Sequence, residues 1–353
     1  DFHGNGKQKE APKYTSLYTT EQLSNDHFPT IDQHLVNALK QQLRSLKYQK
    51  KKKPLQVDGL NLDVDQLEAT IQILLDAAKN PQADLAQSLA MHKIEGEDGR
   101  GNVHFTGYFT PVVPVRKEKT EAFQYPLYTY PKDWDGQLPS RQQIDGEGVL
   151  NGLGLELAYA KSAIDIYFMQ VQGSGIVAYE DGQQELFAYN GSNRHSYRSI
   201  GRYMVERGWT TPSHVSLKAI KNYLERNPEM VDSILFANPS YVFFDPVKSA
   251  PKGAGLVPLT AMHSIAVDTR YIPLGSVLLA TVPIINHKNK VIRHDYRLLV
   301  AQDVGGAING PGHVDLYTGI GESARRKASA LHHYGSLWLL LPNESPQAPL
   351  AMN

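Results

Sequence analysis

The chain contains no cysteine among its 353 residues. That excludes disulfides, thiol catalysis and any cysteine-based metal site. It has no charge excess, since 36 Lys and Arg face 36 Asp and Glu, so nothing in the balance calls for a nucleic-acid partner. No apolar stretch approaches the roughly 20 residues needed to cross a bilayer as a helix. There is no internal repeat and no low-complexity tract. Strands with intervening helices do not recur regularly, which excludes a doubly wound sheet. The sequence opens at Asp1 on a polar segment without an initiator methionine and reads as a mature or trimmed form whose targeting segment is missing.

What is present is enough chain for a substantial core and two domains. Residues 1–25 are polar and read as poorly ordered. Thr30-Ile31-Asp32-Gln33 reads as a capping box, and Ile31, Leu35, Leu39, Leu43 and Leu46 follow at helical spacing, so a helix is expected over 31–48. The Lys50-Lys51-Lys52-Lys53 run behind it suits a solvated helix end. A second helix starts near Asp63, and a third is expected at about 82–92 after Pro81.

From Gly101 the pattern changes. Val103, Phe105 and Gly107 alternate with polar or amphipathic positions as in a strand. Short aromatic and β-branched runs follow, among them 125–128, 164–168 and 241–244. Helices interrupt at about 196–207 and 213–226. Beyond Pro251, strands are expected at 264–267, 277–282, 296–302, 314–317 and 336–341, with a short helix over 322–331. Their spacing suits a small closed barrel. The prolines at 111–114 and the 246–255 stretch read as crossings between domains. One domain would then be discontinuous, residues 1–110 plus 248–345, with 111–247 inserted into it as a second β-rich domain.

Three aspartates stand out. Ala301-Gln302-Asp303-Val304-Gly305-Gly306 ends one apolar run. His313-Val314-Asp315-Leu316-Tyr317 begins another, twelve positions after Asp303 and behind the turn Asn309-Gly310-Pro311-Gly312. Asp268 precedes Ile272-Pro273-Leu274-Gly275. A carboxylate beside apolar chain is costly unless paired or hydrogen-bonded. A dry setting raises its pKa, which a general acid requires near neutral pH. An aspartate in such a turn can equally serve only to accept backbone amides. Asp303 and Asp315 could form a glycosidase pair, or Asp303 could orient Asp315.

The glycine-rich turn lacks the lysine and the strand–loop–helix setting of a phosphate-binding loop. His313 with Asp303 and Asp315 has no recognised metal-ligand spacing, and neither a metal nor a cofactor is expected. Ser174, in Val171-Gln172-Gly173-Ser174-Gly175, lacks the first glycine of a nucleophile elbow. It reads as part of a tight loop offering amides and short polar groups to a sugar. Tyrosines such as Tyr108, in Phe105-Thr106-Gly107-Tyr108-Phe109, join an apolar face to a polar tip, which suits sugars and equally suits packing.

The aspartate pattern resembles the 3D domain of cell-wall-active proteins, which is named for three aspartates. Four further stretches, in order, complete a resemblance to the membrane-bound lytic transglycosylase A family over about residues 100–341. They are Phe105–Pro111, Val171–Gly175, Tyr197–Gly201 and Asn238–Phe244. The resemblance implies a mainly β fold with accessory helices: a double-psi β-barrel with a β-rich domain inserted and a groove between them. It implies peptidoglycan glycan strands as substrate and an outer-membrane tether at the periplasmic face through a lipid-bearing cysteine, which this chain does not contain. The family's catalytic acid falls on Asp315, with Asp303 and Asp268 as its companions. Thr106, Tyr108, Gln172 and Ser174 are candidates for sugar contacts. The chain departs from the family where a lysine is expected after the isoleucine: Asn309 stands there, and Pro311-Gly312 lengthen the turn. An inverting hydrolase using Asp303 and Asp315, or a non-catalytic wall-binding module, would share many of these features.

Overall fold

The structure is a computed structural model and describes residues 16–49, 55–57 and 59–344. The run Lys50-Lys51-Lys52-Lys53 and residues 1–15 of the polar N-terminal segment lie outside the described residues. The chain divides into two compact units. The first comprises the chain up to Gly107, Lys252–Tyr317 and the part from Ala330 onward. The second comprises Tyr108–Pro251 and Thr318–Ser329.

The first unit is built on a closed barrel of six strands. In sheet order they are Val103–Thr110, His313–Ile320, Ser264–Ala266, Val291–Asp303, Val277–Ile285 and His332–Pro342. The first and last also pair with each other, which closes the ring. Ser264–Ala266 runs parallel to Val291–Asp303, and the pairings of Ser264–Ala266 with His313–Ile320, of Val277–Ile285 with both its neighbours and of His332–Pro342 with Val103–Thr110 are antiparallel. These directions leave Val103–Thr110 and His313–Ile320 parallel, so that His104 meets Gly312 and Thr106 meets Asp315. Closure depends on one glycine. The last strand pairs with Val277–Ile285 through Ser336–Leu339, and with Val103–Thr106 through His332–Gly335. A Cβ on Gly335 would collide with the Thr281 carbonyl oxygen and press on the Phe105 ring.

The barrel's apolar residues belong to the largest buried cluster, with Leu278, Leu279, Leu298, Leu299, Val314, Leu316 and Leu339 fully enclosed. Two long helices contribute most of its helical residues. Gln33–Tyr48 supplies Leu35, Leu39 and Leu46, and Val64–Ala78 supplies Leu67, Ile71 and Leu74. Asp63 caps the second helix in a full capping box with Gln66. At the first helix the cap is Asp32, which accepts the Leu35 N–H at 2.9 Å, and not Thr30 as the sequence pattern suggests. Any of the four residues in that stretch with a short polar side chain could cap, and the backbone turns into the helix only after Asp32.

The N-terminal segment is less irregular than its polarity implies. Tyr18–Thr20 forms a strand on Leu89–Ile94, and a short 3-10 turn covers Asn25–His27. The expected third helix is also shortened. Only Leu85–Ser88 is helical, and Leu89–Ile94 pairs with Leu89↔Pro342 through Trp338↔Lys93 in register. Pairing with the end of the barrel strand overrides the local helical preference there.

The second unit holds a six-stranded sheet and five helices of six to ten residues, the last of them Gly321–Ala330, which ends at the border with the first unit. The apolar run at 164–168, expected as a strand, is helix Ala163–Gln172. Ser162 caps it, and Gly173 ends it at φ 91°, in the left-handed region. The run lacks a polar face because the helix is buried on two sides. Ile166 and Met169 pack in one cluster, while Ile164 and Tyr167 pack in another. Near its end lies a buried guanidinium. Arg141 stacks between the rings of Tyr167 and Tyr241, at 4.6 and 5.0 Å from their centroids. It donates to the Asn238 carbonyl, Gln170 Oε1 and the Ser240 carbonyl.

The expectation from this packing is that Gly335→Ala destabilises the fold by about 2–3 kcal/mol, because the barrier it meets is backbone. Urea unfolding checks this: the midpoint should fall with an unchanged slope, and an unaltered midpoint would show that closure does not need the bare backbone.

Candidate functional site

The six-stranded ring places two pairs of polar side chains side by side. His104 and Thr106 alternate with the fully buried Val103 and Phe105. His313 and Asp315 alternate with the fully buried Val314 and Leu316. In a strand, residues two apart share a face, so each pair projects away from the apolar core. The two strands are neighbours, and the contacts follow. The Thr106 hydroxyl donates to Asp315 Oδ1 at 3.0 Å, and its oxygen lies 2.8 Å from His313 Nε2. The His104 ring stacks on His313 at 5.3 Å and, on its other side, on Tyr334 at 5.0 Å.

Asp303 enters from the other direction. In the short strand Ser264–Ala266, Ala266 pairs with Asp303 on one neighbour and with Asp315 on the other. The two aspartate backbones therefore stand two strand spacings apart, roughly 10 Å. Asp303 Oδ1 accepts the Ala254 and Val304 N–H groups at 3.0 and 2.9 Å. The Ala254 loop approaches it closely because its glycines allow it. A Cβ on Gly253 would meet the Asp303 carboxyl carbon at 2.8 Å, and one on Gly255 would meet Ser45 Oγ at the same distance.

Asp268 has a different task. Its carboxylate takes Arg270 Nη2 at 2.6 Å, Arg270 Nε at 3.0 and 3.2 Å, and the Gly310 N–H at 2.9 Å. It thus ties down the turn that precedes His313. Glu97 holds the same turn from another side, where a Cβ on Gly312 would collide with the Glu97 backbone. The His104 N–H donates to the Gly312 carbonyl at 2.7 Å. Pro311-Gly312 therefore lies against the rest of the unit and does not loop away from it.

Electrostatics separate the three acids. Burial pushes the Asp315 carboxyl up to about 7, opposed by the Thr106 hydrogen bond and reinforced by the negative charge of Asp303. Part of its surface stays open to solvent even though protein atoms crowd the carboxyl. Asp268 is the reverse case. It is only 8% exposed, but its own turn does the covering. The Arg270 side-chain hydrogen bonds, with the Gly310 and Arg270 amides, hold it down at about 2. His313 is held at about 4 by burial and by the neighbouring His104, partly offset by Glu97. It is therefore neutral at pH 7.

Of the residues singled out in the sequence, the structure brings Thr106 and Asp315 into contact, with Asp303 across Ala266. Asp268 reaches the turn before Asp315 instead. Tyr108, Gln172 and Ser174 belong to the second unit. There the Tyr108 carbonyl accepts the Thr318 hydroxyl at 3.1 Å, and Gln172 Oε1 accepts the Phe109 N–H at 3.0 Å. Gln172 also lines a cavity of about 400 Å³ with Phe109, Phe168, Met169 and Lys218. Ser174 links the end of the Ala163–Gln172 helix to the strand Gly175–Ala178. Among the described residues, no group of three or more His, Asp or Glu side chains is placed to hold a metal ion. The sequence reading passed over His104 and Tyr334, and weighed His313 only as a metal ligand. The signal that finds them is the spacing of two in His104/Thr106 and His313/Asp315.

Residues 104–245 match the MltA specific insert domain, and residues 263–341 match the 3D domain. The chain is 43% identical over 276 residues to the membrane-bound lytic murein transglycosylase A of Vibrio cholerae, covering 76% of this chain and 74% of the relative. It is 44% identical over 252 residues to the Escherichia coli protein of the same name, covering 70% and 68%. Among solved structures, E. coli MltA with bound chitohexaose superposes with a TM-score of 0.80 at 32% identity, over 96% of this chain and 98% of that one. The membrane-bound lytic murein transglycosylase of Agrobacterium tumefaciens gives 0.75 at 26% identity, over 92% and 98%.

The Asp268 geometry yields a pH-dependent prediction. Its folded pKa lies below the unfolded value, so its stabilisation is present above about 4 and is lost as pH falls through about 2. Asp268→Asn should cost about 1–3 kcal/mol at pH 7, and the two proteins should converge near pH 2. Urea titrations at both pH values test this. An equal gap at both would mean the carboxylate's charge is irrelevant to the turn.

Proposed function

The chain belongs to the membrane-bound lytic murein transglycosylase A family, and on that premise we propose that it is a lytic transglycosylase of peptidoglycan, with Asp315 as its single acid and base. The bond cleaved is the β-1,4 link between N-acetylmuramic acid and N-acetylglucosamine. The observation that carries the reading is the environment of Asp315: a crowded carboxyl, partly open to solvent, pushed up to about 7 by burial.

The chemistry follows from having one such group. Protonated Asp315 gives its proton to the glycosidic oxygen as the bond from the muramic anomeric carbon breaks, through an oxocarbenium-like transition state. The carboxylate left behind then takes the proton from that sugar's own 6-hydroxyl. The 6-oxygen closes on the anomeric carbon and forms a 1,6-anhydro ring. Asp315 ends protonated, as it began, and no water is consumed. The internal nucleophile benefits from its high effective molarity. The negative charge of Asp303 favours the protonated starting form of Asp315. Asp268 supports the site by fixing the turn.

Thr106, Tyr108, Gln172 and Ser174 are assigned to glycan contacts on this reading. The chitohexaose bound by the E. coli relative supports a glycan ligand for the fold. The words "membrane-bound" in the relatives' names support a place at the cell envelope. An outer-membrane lipid tether facing the periplasm goes with that placement.

The test is mass spectrometry of purified peptidoglycan digested by the wild type and by Asp315→Asn. Products one water lighter than hydrolysis products are expected from the wild type. The variant should be at least about 100-fold slower. Because the acid must start protonated, kcat/KM should fall as pH rises through about 7. Hydrated reducing ends would instead identify a hydrolase, with Asp303 as its base. Glycan binding without products from either protein would indicate a wall-binding module.

A further inference from the structure

His313 is a half-buried, titratable side chain that the reaction above does not use. It stands 2.8 Å from Thr106 Oγ1, and the same hydroxyl donates to Asp315 Oδ1 at 3.0 Å. A threonine hydroxyl has one hydrogen to give. Once that hydrogen is on Asp315, the oxygen can only accept from His313. The imidazole must then carry its proton on Nε2. The neighbourhood favours this neutral form, since burial and the adjacent His104 hold the ring uncharged at neutral pH.

We propose that His313 is a positioning residue that acts through Thr106: by donating from Nε2 it locks the Thr106 hydroxyl onto Asp315 Oδ1, so that the acid proton resides on Oδ2. A carboxyl group can place its proton on either oxygen. An oxygen that already accepts a fixed donor is the poorer site for it. The relay thus keeps Oδ1 an acceptor in both the protonated and the ionised state. Only Oδ2 is left to give and receive the proton, and neither hydrogen bond has to reverse during turnover. Thr106, assigned to a sugar contact, acquires a second role facing the acid.

The ring is itself held in orientation. His104 stacks on His313 with 28° between the ring planes, and Tyr334 stacks on the far side of His104 at 22°. The charged and titratable groups that face this column are few. His104 comes from the strand Val103–Thr110. His332, His333 and Tyr334 come from the last barrel strand. Glu97 and Asp98 lie on the segment before Val103, and Asp315 and Asp303 lie beyond Thr106. His104, like His313, is shifted downward chiefly by burial.

The inference rests on Asp315 being the acid, and the experiment separates the two. Release of soluble fragments from purified peptidoglycan is followed as a function of pH for the wild type, Asp315→Asn, Thr106→Val, His313→Phe, His313→Gln and the double variant Thr106→Val/His313→Phe. Phenylalanine keeps a ring on His104 but removes the donor. Glutamine restores an N–H near the Nε2 position. The expected result is a kcat about tenfold lower for His313→Phe with KM within about twofold, and recovery in His313→Gln. The alkaline limb of kcat/KM should move to higher pH in His313→Phe and Thr106→Val, since the hydrogen bond that lowers the Asp315 pKa is weakened or lost. The double variant should be no slower than Thr106→Val alone, because His313 acts only through that hydroxyl. An unchanged rate and pH profile in His313→Phe, with Asp315→Asn inactive, would overturn the relay and leave the acid in place. So would a His313→Gln variant as impaired as His313→Phe, or additive losses in the double variant. Full activity in Asp315→Asn would overturn the reading of the acid itself.

Discussion

The site depends on the closure of the barrel. His332–Gly335 pairs with Val103–Thr106, and this edge-to-edge pairing turns an open sheet into a ring. On its other edge the Val103–Thr110 strand, from the first third of the chain, lies beside His313–Ile320, from the last, so the ring holds it from both sides. Without that second neighbour, Thr106 and Asp315, 209 positions apart, have no reason to meet. The pleat then does the sorting. Val103, Phe105, Val314 and Leu316 go to the core, and His104, Thr106, His313 and Asp315 go to the other face. A one-residue slip in either strand would exchange the two sets, so the packing of the barrel and the chemistry of the site specify the same register.

The same scaffold holds its aspartates in unlike states by unlike means. Asp268 sits against a guanidinium and two backbone amides and is firmly ionised. Asp303 accepts amides from its own turn and from the Gly253–Gly255 loop. Asp315 has one hydroxyl donor and little solvent, so its charged form is the disfavoured one. Burial outweighs the Thr106 hydrogen bond there, while hydrogen bonds outweigh burial at Asp268. Sequence proximity to glycine turns is common to all three and does not distinguish them.

Much of this was legible in the chain. The strands beyond Pro251 alternate or run apolar in the manner of a small barrel, and each stands where its pattern puts it, with ends up to five residues away. The helices led by Ile31 and Asp63 showed plain amphipathic spacing. The misreadings share one cause, which is that tertiary partners decide between local alternatives. The 164–168 run has no polar face because the helix is buried between two clusters, and period alone cannot separate such a helix from a strand. Leu89–Ile94 is a strand because the end of the last barrel strand pairs with it. Asp268 is a separate matter: Arg270, only two residues away, holds its carboxylate, and its Gly310 contact ties it to the turn before Asp315. The histidines were visible as a spacing of two beside Thr106 and Asp315, a pattern that gains meaning only once the two strands are known to be neighbours.

The proposed chemistry requires that Asp315 keep its proton near neutral pH. Carboxyl carbon NMR of protein labelled at aspartate Cγ, compared with Asp315→Asn to assign the resonance, measures this directly. One signal should titrate at about 7 and be missing from the variant. A signal for Asp315 titrating in the ordinary aspartate range, near 4, would contradict it.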